Sequence, residues 1–265
     1  MTQIPEQTFI EKFGALIIAI VALIQPWVIA IWKKYFSPGQ IDFFKTGRLE
    51  IGFSNFASTI GINGTLKGIN KDLFISNIHL NLVKKKDSSR HRFEWSIFRD
   101  TKLKLSGNKD MEVELPYGIM LSTNSPQRIN IQFNDLIQQE TLSIPYDELR
   151  IHWNNFLENH FPIQERTNSQ EDKLRIFAID QEFSKTKEYT DAYVKFNREL
   201  YWEESDYELE MVIETSNPIK QFKSNFKFHL TDAECENLRL NVIYLINYGC
   251  NQFRFDWNFI YTNYK

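Results

Sequence analysis

Phe13–Trp32, FGALIIAIVALIQPWVIAIW, holds about twenty consecutive residues without a charge. At ~1.5 Å per residue, a helix of that length matches the ~30 Å apolar core of a bilayer. The stretch therefore reads as one transmembrane helix, with the rest of the chain hung from it. Lys12 precedes the run, and Lys33, Lys34, Lys45 and Arg48 follow it. The excess of basic residues on the C-terminal side predicts a single-pass protein of the inner (cell) membrane with its C-terminal region cytoplasmic. Glu6 and Glu11 before the run, and Trp32-Lys33-Lys34 after it, argue against a cleaved signal peptide.

Within the run, Ala15, Ala19, Ala22, Pro26 and Ala30 fall on one helical stripe. Small stripes let helix backbones approach closely. Gln25 is polar at mid-span, and Pro26 lacks a backbone donor, which predicts a kink. Two readings stand side by side, a plain tether and a self-associating helix. A pore or ion channel is one form of the second, with Ala15, Ala19, Ala22, Gln25, Pro26 and Ala30 packing or lining it.

Residues 1–12 form a short flank. From residue 33 onward the signals are β. Arg48–Ser54, Leu73–Val83, Arg92–Phe98, Lys102–Leu105, Ile119–Ser122 and Arg128–Phe133 read as short strands, and Asn63-Gly64 as a tight turn. Such spacing predicts an antiparallel, immunoglobulin-like β-sandwich over 33–143. Pro145–Phe161 carries Leu149, Trp153, Phe156 and Leu157 at helical spacing, and Glu171–Phe183 reads as a weaker helix. Residues 144–185 are thus a helical connector. Residues 186–265 read as a second β-rich domain with one helix. Its strands are Tyr207–Glu214, Phe222–His229 and Phe253–Tyr261, and Thr231-Asp-Ala-Glu234 is the capping box that opens the helix. The fold class expected is one transmembrane helix plus a mainly-β cytosolic region with a few α-helices.

The 265-residue chain carries 22 phenylalanines, enough for a substantial core, and a net charge of −3, which gives no global attraction to nucleic acid or anionic lipid. Cys235 and Cys250 lie near the two ends of one predicted helix, roughly 22 Å apart by helical rise, too far for a disulfide. They read as free thiols.

No phosphate-binding glycine loop, zinc-protease motif or nucleophile elbow occurs, and His79, His91, His152, His160 and His229 lack metal-type spacing. Hence no enzyme, no metal and no cofactor are expected. What remains is charge. Lys84, Lys85, Lys86, Arg90 and Arg92 surround a predicted hairpin, with Arg99, Lys102, Lys104 and Lys109 nearby. They form a candidate site for phosphates of a nucleotide or oligonucleotide. The alternative is a solvated hairpin tip that protects a strand edge. Glu199, Glu203, Glu204, Asp206, Glu208, Glu210 and Glu214 form an acidic stretch, either solvated or meeting a neighbouring subunit's basic hairpin. Lys220, Lys223 and Lys227 interleave with Phe222, Phe226 and Phe228, which strand alternation explains more cheaply than base stacking.

The layout of Phe13–Trp32, Lys33-Lys34 and a β domain without catalytic motifs resembles the membrane effectors of bacterial anti-phage defence systems. That resemblance implies homo-oligomers whose cytosolic domain senses a ligand and whose helices open or disturb the bilayer. The rival reading is a membrane-tethered scaffold that binds a protein partner and forms no pore.

Overall fold

Alternating apolar side chains build one sheet rather than two packed layers. The structure is a computed structural model that describes residues 9–35, 38–54, 57–103, 109–167, 169–251 and 257–264. Side chains at 9–12, 15, 33–35, 100–103, 109–112, 248–249 and 251 within these ranges lie outside the description. The strands are β1 Gln40–Phe44, β2 Leu49–Ser54, β3 Ala57–Ile69, β4 Leu73–Lys84, β5 Arg90–Leu103, β6 Lys109–Glu114, β7 Ile119–Leu121, β8 Gln127–Asn134, β9 Ser205–Asn217, β10 Ile219–Leu230 and β11 Phe259–Thr262. The α-helices are α1 Phe9–Tyr35, α2 Leu136–His160, α3 Gln170–Phe183, α4 Lys187–Glu199 and α5 Asp232–Asn251. Among the described residues the strands form a single antiparallel sheet in the order β10-β9-β4-β5-β8-β3-β2-β11, with β1, β6 and β7 attached at its sides.

Two expectations are corrected here. The immunoglobulin-like sandwich is replaced by a mainly-β half-barrel. The physical reason is pairing. β9 and β10 add to the free side of β4 through a ladder that runs from Phe74/Asn217 to Lys84/Tyr207, so all the strands share one sheet. The apolar face of that sheet is covered by helices, α2 against β3 and α5 against β2, rather than by a second sheet. The second correction concerns the membrane. Among the described residues, no helix is long and apolar enough to cross a membrane. The membrane-spanning helix, the single-pass inner-membrane placement and the cytoplasmic side assigned to the C-terminal region fall with that finding. Gln25 and Pro26 fall in the middle of the apolar run of α1, a helix continuous over Phe9–Tyr35, and lower its apolarity where a span has to be most apolar. The side chains of Leu16, Ile18, Leu23 and Trp27 on α1 are nevertheless largely exposed.

Local chemistry explains most of the remaining elements. In β4, Leu73 and Ile75 are buried at odd positions, but Ile78, Leu80 and Leu82 at even ones. The register shifts between Phe74 and Asn77 supply the extra residue that re-aims the strand. A one-residue slip otherwise turns every side chain to the wrong face. Asn63-Gly64 is no turn; β3 runs straight through it, because β1, β2 and β8 all pair with that strand. Gly64 is required there, since a Cβ would collide with the Phe43 ring and the Phe44 carbonyl. α2 begins nine residues before Pro145 (136 against 145), with the Asp135 carboxylate accepting from Gln138 N at 3.1 Å. α3 and the Thr231 capping box of α5 lie where the sequence places them, whereas the sequence reading passed over α4, an amphipathic helix that buries Ala192 and Phe196. Of the expected last strand, Phe253–Tyr261, residues 252–256 lie outside the described residues.

Candidate ligand groove and buried polar sites

The turn between β4 and β5 holds Lys84, Lys85 and Lys86. It is docked on the start of β9, where Lys85 N donates to Asp206 O at 2.9 Å and Lys86 N to Ser205 Oγ at 3.2 Å. Docking brings the basic hairpin against the acidic stretch of the same chain. Lys84 is buried, with its ammonium 2.7 Å from Asp87 and 3.6 Å from Glu203. Lys86 reaches Glu203 at 3.3 Å and Lys85 reaches Glu208 at 2.5 Å. The contact imagined between subunits is therefore made within one chain, across the β4–β9 ladder.

On the sheet face opposite the core, side chains in register form a polar lattice across β5, β4, β9 and β10. Asn81 donates to Glu210 at 3.2 Å, and Lys223 pairs with Glu210 at 3.0 Å. Lys227 pairs with Glu208 at 3.1 Å and Arg92 with Glu94 at 2.6 Å. The bonds from Lys85 and Lys227 hold the Glu208 carboxyl below its ordinary range, and Lys223 does the same for Glu210. Phe226 and Phe228 turn to the buried face, so the Lys–Phe interleaving on β10 is strand alternation. An open groove of about 650 Å³ crosses this lattice, lined by Asn81, Arg90, Arg92, Glu208, Glu210 and Lys227 among others. Of the five hairpin cations, Lys84, Lys85, Lys86 and Arg92 are paired. Arg90 has no carboxylate partner among the described residues, and it is exposed in the groove. Arg99 pairs with Glu50 elsewhere on the sheet, while the side chains of Lys102, Lys104 and Lys109 lie outside the described residues.

His79 sits in the same lattice, buried beside Val212 and Glu94, with Nδ1 unbonded. Burial and then the nearby Arg92 guanidinium lower its pKa, against the opposing pull of Glu214, Glu94 and Glu210. A folded pKa below the unfolded ~6.5 means that the unfolded chain binds the extra proton first. Stability is then full above about pH 6.5 and falls as pH drops from there toward the folded pKa. The His79→Gln variant is expected to show a flatter stability profile between about pH 7 and 5 in urea titrations, because it carries no proton to bind. An unchanged slope would place the titration elsewhere.

A second polar group lies under the helices. Asp135 accepts from Tyr201 Oη at 3.1 Å and lies 3.6 Å from His91 Nδ1, and the His91 ring stacks on Tyr201 at 3.6 Å. Gln138 accepts from Ser58 N and donates to Glu199 O, both at 2.5 Å. Burial alone raises the Asp135 pKa, but the bonds from His91, Gln138 and Tyr201 outweigh it and leave the carboxyl below its ordinary range. These groups tie the start of α2 to β3, β5 and the segment after α4, which is an anchoring role. Among the described residues no cluster of histidine, cysteine or carboxylate side chains could hold a metal ion.

The α1 residues singled out by spacing, Ala19, Ala22, Gln25, Pro26 and Ala30, are all exposed, and the side chain of Ala15 lies outside the description. Sequence reasoning missed the Glu50–Arg99 pair, because the two residues are distant in the chain and meet only across β2, β3, β8 and β5. No family model, curated protein or solved structure matches the chain.

Proposed function

We propose that the chain is a non-enzymatic, self-associating sensor that takes a nucleotide-class ligand in the groove across β4, β5, β9 and β10. The observation that carries this reading is Arg90. Among the described residues it faces the groove without a carboxylate partner, while the lysines around it are neutralised. A phosphate bound there gains a charge-assisted, two-pronged contact and displaces no existing ion pair. Because so few cations are free, the ligand is a short nucleotide and not a long oligonucleotide. Its affinity should follow salt with a log–log slope of about −1 and not of several units.

Self-association rests on α1. An exposed apolar surface of this extent marks an association surface. The small residues Ala19, Ala22 and Ala30 permit close approach of further copies of the chain. The resemblance to membrane effectors rested on a span that is now corrected, so the proposal keeps only the sensing and the self-association.

One sample tests both parts. Mononucleotides and dinucleotides are titrated calorimetrically while light scattering reports mass. Arg90→Ala is expected to weaken binding about tenfold or more, equivalent to ~1.4 kcal/mol or more, and Lys86→Ala less than about threefold. Equal losses in the two variants, or no nucleotide binding at all, would sink the ligand assignment. A monomer would remove the association, and a monomer held in solution only by detergent would assign the α1 surface to lipid. A second reading, a surface for a protein partner, is favoured by the near-neutral mesh of ion pairs. It takes over if no nucleotide binds.

A further inference from the structure

α1 is continuous over Phe9–Tyr35, and among the described residues it makes no extensive contact with any strand or other helix. Ile17, Val21, Ile24, Val28 and Ile31 recur along it at alternating steps of four and three residues, and in the sequence Ile10 and Gly14 continue the series backward. That is the spacing of a heptad seam, with isoleucine at the d positions and valine at the a positions after Gly14. All five side chains are open to solvent, and even Ile24, the least exposed, is at 49%. The seam also carries a socket. Val21, Ile24, Gln25 and Val28, at i, i+3, i+4 and i+7, border a shallow concavity of about 340 Å³ together with Ile29. Four residues at those steps frame the hole that receives a d-position knob from a facing helix.

We propose that α1 joins three or four copies of the chain in a parallel, in-register bundle whose core is Ile17, Val21, Ile24, Val28 and Ile31. Ile24 is itself a d residue, so the same stretch supplies both knob and socket. A surface complementary to itself takes a second copy and not an unrelated partner. A d knob seated around another copy's d residue requires the helices to run parallel and in register. Isoleucine at d disfavours the two-stranded state, which prefers leucine there. The β-branched side chains are already held near one χ1 rotamer in a helix, so ordering them at an interface costs little entropy. With Ile18, Ile20 and Trp27 alongside, the exposed seam approaches the ~800 Å² per partner of a stable interface. Pro26 falls on the opposite side of the helix, which is the convex side when helices bend around one another. Ala19, Ala22 and Ala30 lie on that side too and stay outside this contact. The proposal rests on the self-association read for α1, assigns it to one face, and does not involve the Arg90 groove.

The test uses the full chain, whose native thiols, Cys235 and Cys250, are buried. Single cysteines are placed in the seam as Ile17→Cys, Ile24→Cys and Ile31→Cys, and on the opposite side as Ala19→Cys and Ala22→Cys. Each variant is oxidised with copper phenanthroline, and the rate of linking between copies is read on non-reducing gels. Light scattering in detergent-free buffer reports mass. Three or four copies are expected, with every seam cysteine linking at least tenfold faster than the two on the alanine side. Linking at both Ile17 and Ile31 marks a parallel arrangement, because antiparallel helices carry each of those positions to opposite ends of the bundle. Ile24→Asp is expected to reduce the mass to one copy and Ala22→Asp to leave it unchanged. Both should keep the urea midpoint of the sheet, since α1 stands apart from it. A monomer, free or bound to phosphatidylcholine vesicles, overturns this proposal and the self-association together. An oligomer that links fastest at Ala19 or Ala22, links in the seam at Ile24 alone, keeps its mass in Ile24→Asp, or holds only two copies overturns the seam and leaves the self-association standing.

Discussion

Replacing Trp202 by alanine should cost about 3–5 kcal/mol of folding stability, the range for removing a large buried aromatic side chain. Trp202 is fully buried and lies in the short segment between α4 and β9. Its ring stacks near Phe93 of β5 with centroids 6.3 Å apart, and meets Tyr207 of β9 edge-on at 5.5 Å. Nε1 donates to the Gly52 carbonyl of β2 at 2.9 Å. One side chain therefore joins three strands that are not neighbours in the sheet, which braces the curvature of the half-barrel. Trp202→Phe separates the two contributions. It keeps much of the packing and leaves the Gly52 carbonyl without its donor, at a cost of about 1–3 kcal/mol. Urea unfolding midpoints, read with the denaturant slope, measure both variants. A loss below about 1 kcal/mol for Trp202→Ala would show that the segment repacks and that the curvature is held elsewhere.

Arg99→Ala is expected to be comparably severe, at about 3–5 kcal/mol, for a different reason. The Arg99 and Glu50 side chains are 7% and 10% exposed, so removing one leaves the other as a buried charge without its partner. Glu50→Ala should cost a similar amount, because the stranded guanidinium then has three unpaired nitrogens, Nη1 joining Nε and Nη2. The paired replacement Arg99→Met with Glu50→Leu is expected to recover most of the loss, since well-packed apolar groups often match or exceed a buried ion pair. A double-mutant cycle makes the coupling explicit, and additive single effects would argue against a functional pair. Gly61 belongs to the same arrangement. Its missing Cβ is the space that the guanidinium occupies, and Gly61→Ala should weaken the pair by pushing Nη2 aside.

Most strands were legible because their signal is local. β2, β8, β9 and β10 fall where alternation puts them, and the Thr231–Glu234 capping box opens α5 as read. The basic hairpin was legible as a cluster, but its electrostatic state was not. Whether Lys85 is free depends on Glu208, more than a hundred residues later, and only the antiparallel register of β4 with β9 brings the two together. Asn63-Gly64 shows the opposite failure. A strong local turn signal lost to strand pairing on both sides of β3, with the glycine serving the approach of Phe43 instead. The apolar run of Phe13–Trp32 predicted a helix, and α1 carries it over Phe9–Tyr35, but among the described residues no helix is long and apolar enough to cross a membrane.

By itself the amino-acid sequence determined a mainly-β chain with an N-terminal apolar helix, free cysteines and a segregated pattern of charge, because each of these follows from composition or from contacts within a few residues. The tertiary structure alone decided that one sheet curls into a half-barrel, that hairpin lysines are spent on carboxylates of their own chain, and that Arg90 has no carboxylate partner among the described residues. The reason is physical. Which charges remain available depends on strand register, and register is settled by the burial of distant apolar faces against one another.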